Sequence, residues 1–329
     1  SGGSFAFADT PLQRERGIAD SPERLVRDLR EVGGNANDVT LVQAYVDQQG
    51  ETYGWLGARG VRFERLFAAS GHSVPRGHSR NAQEVLDIIA EKARATGRVR
   101  TFLSTAARRL VRSESDGRVT GVRGDAHGRD WAIEARHGVV LATGGFSRNE
   151  RLLQLFAPNQ SGAQRMGGPG NTGDGLLMAW RAGAAFRDVG YIKGTFGNHP
   201  SAGPEDHFLL FPMYAGGIAV NAKGRRFVDE SQSYKIIGDA CLEQPGCIGW
   251  QVFDEPIFRR GQPGIPSMDF QADLAAGRVV KADTLVELST KIGVDAGVLA
   301  ATVAHYNDGV RQGFDSEFGR RHQCSAHGA

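Results

Sequence analysis

Residues 138–146, Gly-Val-Val-Leu-Ala-Thr-Gly-Gly-Phe, constrain the fold more than any other stretch of the chain. The continuously apolar half, 138–142, predicts a parallel strand buried on both faces. The strand ends at Thr143, Gly144, Gly145 and Phe146, where small residues let a planar or charged group approach the backbone, because glycine has no Cβ to exclude it. A tight turn into the next helix is the plainer reading of the same four residues. Downstream, Gly167, Gly168, Pro169, Gly170, Asn171, Thr172, Gly173, Asp174 and Gly175 lead into a helix predicted over 176–181. Free amides at a helix N-terminus favour an anionic or polar ligand. Glycine is abundant throughout, 45 of 329 residues, about twice average usage. No Gly-X-Y period appears, and an apolar fraction of 40% with 17 Phe and 4 Trp places those glycines inside a folded protein.

Before that strand the pattern is helical. Ser21 is a good N-cap, with Pro22 at the first helical position and Glu23 near the positive end of the dipole. This helix ends near Gly33 and Gly34. A second is predicted from about Asp38 to Leu56 and a third from Asn81 to about Ala95, with Val85, Leu86, Ile88, Ile89 and Ala93 on its core face. From Val99 the period falls from 3.6 to 2. Strands are predicted at 99–104, 107–112, 118–123, 130–136 and 138–142, a three-stranded meander between two buried strands. Beyond Tyr191 come a hairpin of 217–220 with 225–228 across Asn221–Gly224, a helix at 233–242, a strand at 249–253 and helices at 283–292 and 295–311. The fold class is therefore α/β followed by α+β.

Charge is nearly balanced, 39 basic against 37 acidic residues, so nothing predicts a nucleic-acid or anionic-membrane partner; small molecules are expected. Cys241, Cys247 and Cys324 form no C-x-x-C and no even framework, which points to structural thiols in a reduced, cytoplasmic setting. No apolar run approaches the roughly 20 residues of a spanning helix, and no signal peptide is recognisable. The absence of H-x-x-x-H and H-E-x-x-H leaves a metal site unsupported. The 167–175 segment lacks the G-K-[ST] ending of a P-loop.

Several short elements occur in a familiar order: Ser1-Gly2-Gly3, Gly33–Asp38, Leu141–Phe146, Thr172–Gly175, Gly224–Glu230, Trp250–Asp254, Ala282–Leu288, Val303–Asn307 and His327–Ala329. Together they resemble the flavoproteins of the fumarate reductase and succinate dehydrogenase superfamily, which includes 3-ketosteroid dehydrogenases. The resemblance implies noncovalent FAD between a Rossmann-like domain and a capping domain, and hydride transfer between flavin N5 and a carbon next to a carbonyl or carboxylate. On it, 1–190 would be the FAD-binding domain with the meander inserted, 191–321 the α+β capping domain with Tyr191 at its entrance and Arg321 near its end, and 322–329 the return to the first domain. The G-x-G-x-x-G fingerprint is not among these residues; the resemblance places it, and a final Gly-rich FAD segment, outside the chain, so the FAD-binding domain is expected to be incomplete. Cofactor contacts carry over to Ser1, Gly2, Gly3, Ala106, Ala107, Thr143, Gly144, Gly145, Gly173, Asp174, Gly175, His327 and Gly328.

In fumarate reductases an Arg after the R-F-V-N-E element delivers the proton. Aligned through Arg226–Glu230, that place holds Tyr234, and the helper places fall on Leu210 and Met213, neither of which carries a proton. Tyr234 resembles instead the Tyr of ketosteroid dehydrogenases that helps remove a proton beside a ketone, and Leu209, Phe211 and Met213 suit a lipophilic substrate. Tyr234 and Arg226 are the candidate catalytic residues, although a packing Tyr and an ion pair of Arg226 with Glu230 or Asp229 are the bland readings. Candidate substrate contacts are His72, His78 and Arg80 in the loop after the second helix, where Arg76 also lies, with His199, Phe211 and Met213 in the cap and His207 nearby. A solvated loop is the plainer reading of the first group. A steroid-like ketone is the expected substrate. An unsaturated acid, as in fumarate, tricarballylate or urocanate reduction, is the alternative, and a flavin-free noncatalytic fragment is the third reading; the electron partner is left open.

Overall fold

The computed structural model describes residues 4–68, 71–203, 205–265, 267–320 and 324. The chain divides into two compact units, Ser1–Leu103 and Ser104–Ala329.

In the first unit, β1 (Ser4–Ala6), α1 (Pro11–Glu15), α2 (Pro22–Val32), α3 (Val39–Ala58), β2 (Arg65–Phe67), β3 (Gly77–Ser79) and α4 (Ala82–Ala95) follow in order. The helix starts are set by side chains that accept the otherwise unpaired first-turn amides. Ser21, Asp38 and Asn81 cap α2, α3 and α4, and Thr10 forms a reciprocal box with Gln13 on α1. The three short strands pair antiparallel in the order β1-β3-β2, with His78 opposite both Phe5 and Leu66. Phe7, Leu56, Val61 and Val85 form one core cluster, and Ala8, Leu25, Val42 and Val46 a second.

The second unit opens with the antiparallel meander β4 (Ala106–Arg112), β5 (Val119–Ala126) and β6 (Arg129–Glu134). Then come α5 (Glu150–Phe156), α6 (Asp174–Arg181), β7 (Ile218–Asn221), α7 (Tyr234–Leu242), β8 (Gly249–Val252), α8 (Glu255–Phe258), α9 (Phe270–Ala275), α10 (Leu285–Ile292) and α11 (Ala296–Gln312). One core joins Ile218, Val220, Val252, Ile292, Leu299, Val303 and Tyr306. Another joins Phe196, Met213, Ala219, Val228, Ile237 and Cys241.

Three local expectations are corrected. Residues 99–104 and 138–142 are not strands, and Val140 is 91% exposed. Apolarity favours burial, but a strand exists only through pairing, and every strand pair among the described residues is antiparallel and lies elsewhere. The turn Asn221–Gly224 forms, closed by Asn221 N–H to the Arg225 carbonyl at 2.9 Å. Beyond that bond, the predicted second arm of its hairpin pairs with β7 at the single Val220–Arg226 bridge and forms no ladder with it. The ladder partner of β7 is β8, over all four positions, while Arg226 and Glu230 of the 226–230 segment are buried.

Candidate functional site

The two glycine-rich segments close on each other. Gly173 N–H donates to the Gly145 carbonyl at 3.0 Å, Arg148 N–H to the Asn171 carbonyl at 2.9 Å, and Gly145 N–H to Asn171 Oδ1 at 3.2 Å. The glycines there perform two different tasks. A Cβ on Gly175 would stand 2.1 Å from Thr143 Oγ1, one on Gly144 would stand 2.1 Å from Asn171 Oδ1, and one on Gly173 would meet Leu152. These three permit the segments to pack, and Gly144 and Gly173 also need their left-handed φ of 73° and 80°. Gly145 and Gly170, by contrast, have nothing within 4 Å of where a Cβ would be. Gly173 serves as N-cap of α6 and Asp174 begins it, while α6 packs against β4, the strand that starts at Ala106 and Ala107. Folding thus gathers Ala106, Ala107, Thr143, Gly144, Gly145, Gly173, Asp174 and Gly175 into one region of the second unit. Ser1, Gly2, Gly3, His327, Gly328 and Arg321 lie outside the described residues.

From this turn a cleft of about 1600 Å³ extends along Gly145, Asn171, Tyr191, His199, Leu210 and Trp250. His199 is half-buried and its Nδ1 lies 2.7 Å from Ser201 Oγ. Burial, and then the positive charge of Arg278, hold its pKa below the usual histidine range. Arg278 is paired with Asp273 and lies 4.3 Å from the Phe208 ring centroid. Gln160, Lys193, Asp239 and Arg278 also line the cleft, and none was singled out by sequence reasoning. They belong to no motif and are brought together only by folding; the Asn within the glycine run was the one available signal for Asn171.

Tyr234 stands on α7, whose later residues Gly238, Asp239 and Cys241 line that cleft. Tyr234 is the first residue of α7, whose N-cap is Ser233, and its ring stacks on Phe211 with centroids 6.0 Å apart and an interplanar angle of 9°. Met213 is fully buried beneath this pair. Among the described residues Leu210 lines the cleft, whereas Phe211, Met213, Tyr234 and Arg226 do not.

Arg226 sits in a buried ion cluster. It donates to Glu230 Oε1 and Oε2 at 2.9 and 2.7 Å and to Asp315 Oδ1 and Oδ2 at 3.0 and 2.9 Å. Its side chain is 0% exposed, and the rings of Tyr306 and Phe318 flank it at 4.8 and 5.1 Å. Of the two acidic neighbours expected as ion-pair partners, Glu230 is the one engaged; Asp229 instead accepts from Ser231 and Gln232. Arg320 joins the cluster through Glu230 at 3.2 Å and also donates to the Gly217 and Met213 carbonyls. Burial opposes charge on Arg226, but the hydrogen bonds it donates to Glu230 and Asp315 keep it protonated beyond its ordinary range. Burial alone would raise the Asp315 carboxyl; its bonds to Arg226 pull it down to about 2.

In the first unit His78 is fully buried. Its Nδ1 lies 2.8 Å from the Arg76 carbonyl and its Nε2 2.8 Å from Thr10 Oγ1. A carbonyl can only accept, so Nδ1 carries the proton and Nε2 accepts from the threonine. The rings of Phe7, Tyr53 and Phe63 surround it edge-on. The loop read as solvated on its plainer reading is thus tied into the interior here: Arg76 is fully buried and paired with Asp20 and Asp28. His72 is half-buried, and burial lowers its pKa. Arg80 pairs with Glu84 and donates to the Arg62 carbonyl.

A glycine-lined turn packed on a helix start, with open backbone facing a large cleft, is an arrangement that fits a nucleotide-type cofactor. The chain belongs to the FAD-binding-domain family, which it matches over residues 1–327. It is 28% identical over 329 residues to a probable fumarate reductase of Shewanella frigidimarina, covering 97% of this chain and 54% of that protein. It is 35% identical over 235 residues to a 3-oxosteroid 1-dehydrogenase of Mycolicibacterium smegmatis, covering 62% of this chain and 39% of that protein. Among solved structures it resembles the open conformation of a flavocytochrome c3 fumarate reductase, with a TM-score of 0.74, 27% identity, and coverage of 100% of this chain and 57% of that one. It also resembles a 3-ketosteroid-Δ4-(5α)-dehydrogenase from Rhodococcus jostii in complex with 4-androstene-3,17-dione, with a TM-score of 0.75, 26% identity, and coverage of 98% and 71%. The chain spans about half the length of the first curated relatives it matches. These findings agree with the superfamily resemblance and with FAD as the cofactor. No helix among the described residues is long and apolar enough to cross a membrane.

Proposed function

We propose that the complete protein is an FAD-dependent oxidoreductase acting on a carbon–carbon bond adjacent to a carbonyl, with 1–190 contributing to the FAD-binding domain and 191–321 forming the cap. The residues fit the cofactor: Gly145 and Gly170 leave backbone open where a planar or anionic group can lie against it, and Gly144, Gly173 and Gly175 let the turn close behind. Thr143, Gly144, Gly145, Asn171 and the start of α6 would hold it. When bound, FAD supplies the acceptor or donor of two electrons as hydride.

The remaining chemistry falls to the chain. The observation that carries the ketone reading is the Phe211–Tyr234 stack over fully buried Met213. At the places where a dicarboxylate reductase would need proton-carrying side chains, this chain has Leu210 and Met213. The phenol of Tyr234, at the start of α7 and outside the cleft lining, is the acid or base on this reading, and general acid–base catalysis contributes roughly 10²–10⁴-fold. Arg226 acts as a positioning residue: by clamping Glu230 it fixes the turn that delivers Ser233 and Tyr234 to the helix start. His199 lines the cleft as a substrate contact, donating or accepting one hydrogen bond in its neutral form. The test is flavin reduction of the complete protein by 3-ketosteroids, compared with reoxidation by unsaturated acids. Tyr234→Phe should lower turnover at least about 100-fold with an unchanged flavin spectrum. Full turnover in that variant would remove the role of Tyr234.

A second reading, reduction of an unsaturated carboxylate, is favoured by the relatives that cover nearly the whole chain, the fumarate reductases of Shewanella frigidimarina at 97%. Reoxidation by fumarate-like acids with no response to ketosteroids would select it.

A further inference from the structure

Two thiols outside this chemistry share the cleft wall. Cys241 lies in the last turn of α7 and Cys247 precedes β8, and both line the cleft. The chain between them folds back in two successive turns, Gln244 N–H to the Cys241 carbonyl at 3.0 Å and Cys247 N–H to the Gln244 carbonyl at 2.9 Å. Each thiol reaches the other's end of the segment. Cys241 Sγ lies 3.6 Å from the Cys247 carbonyl, and Cys247 Sγ lies 3.3 Å from the Leu242 carbonyl. Thiols are weak donors, so these contacts hold the two ends of the segment together only loosely.

The backbone at Cys247 is unusual. Its φ is 55° and that of Gly246 is 74°, so a non-glycine residue occupies the left-handed region at some cost in strain. Room for its sulfur comes from Gly162, where a Cβ would stand 2.9 Å from Cys247 Sγ. Cys247 is partly exposed and Cys241 is buried.

We propose that Cys241 and Cys247 form a peroxide-responsive pair that closes into a reversible disulfide on the cleft wall. Cys247 Sγ attacks one peroxide oxygen, breaking the O–O bond and leaving a sulfenic acid and water. Cys241 Sγ then attacks the Cys247 sulfur, expelling the sulfenic oxygen as a second water and forming the S–S bond. Two thiols are oxidised by two electrons and one peroxide is reduced to two waters; a dithiol reverses the bond by exchange. The order follows from access, since the partly exposed thiol meets the oxidant first. Burial, reinforced by any charge on Cys247, pushes the Cys241 thiol up to about 11, so the second step draws on a small thiolate fraction at neutral pH. It should accelerate about tenfold per pH unit over the neutral to mildly alkaline range, because the thiolate is the nucleophile.

The experiment treats the protein with hydrogen peroxide, alkylates remaining thiols in denaturant and cleaves after Glu243, which lies between the two cysteines. The expected result is loss of two of the three thiols together, with fragments containing Cys241 and Cys247 joined until a dithiol is added. In Cys241→Ser a dimedone-reactive sulfenic acid should persist on Cys247, and in Cys247→Ser neither species should form. Independent oxygen addition to each cysteine of the wild type, or a cross-link through Cys324, overturns the proposal. A closure rate independent of pH overturns the assignment of the Cys241 thiolate as the attacking group.

Discussion

Replacing Arg226 with Met keeps much of the side-chain volume and removes one charge from a closed cluster. Arg226 makes its four bonds to Glu230 and Asp315 at 2.7 to 3.0 Å, and the three side chains are 0%, 0% and 4% exposed. Removing one partner of a buried ion pair costs about 3–5 kcal/mol, because the charge left behind has lost its compensation. Here each carboxylate keeps other donors: Glu230 retains the Ala219 amide and Arg320, and Asp315 retains the Glu317 and Arg320 amides. The loss should therefore fall at the lower end, about 3 kcal/mol. Asp315 gives a consistent magnitude: a carboxyl held at about 2 instead of 3.8 corresponds to about 2 kcal/mol. Because that folded-state pKa is depressed, the contribution is complete above about pH 4 and disappears as the pH falls towards about 2. Urea unfolding at neutral pH and near pH 3 measures both effects, and the variant should lose stability at neutral pH and show a shallower acid dependence. The control is Arg108→Met, which breaks a pair with Asp125 at the same 2.7 Å but with side chains 62% and 40% exposed. It should cost under about 1 kcal/mol. Equal costs for the two variants would refute the argument that burial, and not distance, sets the worth of these bonds.

The glycines of the cofactor turn should separate by task. Gly175→Ala, whose Cβ would meet Thr143 Oγ1 at 2.1 Å, is expected to lower stability by about 1–3 kcal/mol and to reduce the flavin absorbance per chain of the complete protein. Gly145→Ala, with open space at that position, should reduce flavin content while leaving the unfolding midpoint unchanged; equal effects of both substitutions would contradict the division. His78 has a pKa lowered first by burial, so the stability of the first unit should be complete above about pH 6.5 and decline below it, with a slope of up to about 1.4 kcal/mol per pH unit. His78→Asn should flatten that slope in urea unfolding between about pH 6.5 and pH 5, with His72→Asn measured alongside because burial lowers that histidine too. A slope unchanged in His78→Asn would remove His78 as its source.

Local signals in the chain were well matched by the structure wherever a side chain acts on its own backbone. Ser21, Asp38, Asn81 and Ser233 cap helices where polar residues precede an amphipathic run, because a capping bond spans two or three residues and needs nothing distant. The meander and the turn at Asn221–Gly224 were legible for the same reason. The glycine segments at 143–145 and 167–175 could be marked as unusual, but their division into packing glycines and open glycines depends on Thr143, Ser147 and Asn171 across the turn. Pairing between distant segments was not legible. β7 pairs along its whole length with β8 and meets 225–228 at a single bridge, while the Arg226 side chain reaches Asp315, 89 residues away. The apolar 138–142 segment, similarly, predicts burial without naming what should cover it. By itself, then, the sequence determined the longer helices, the turns and the family, and not the short helices α1, α5, α8 and α9. Tertiary structure decided which strands pair, which charges are buried and which thiols share the cleft, because those choices are made between residues far apart in the chain whose interaction energies depend on desolvation and contact.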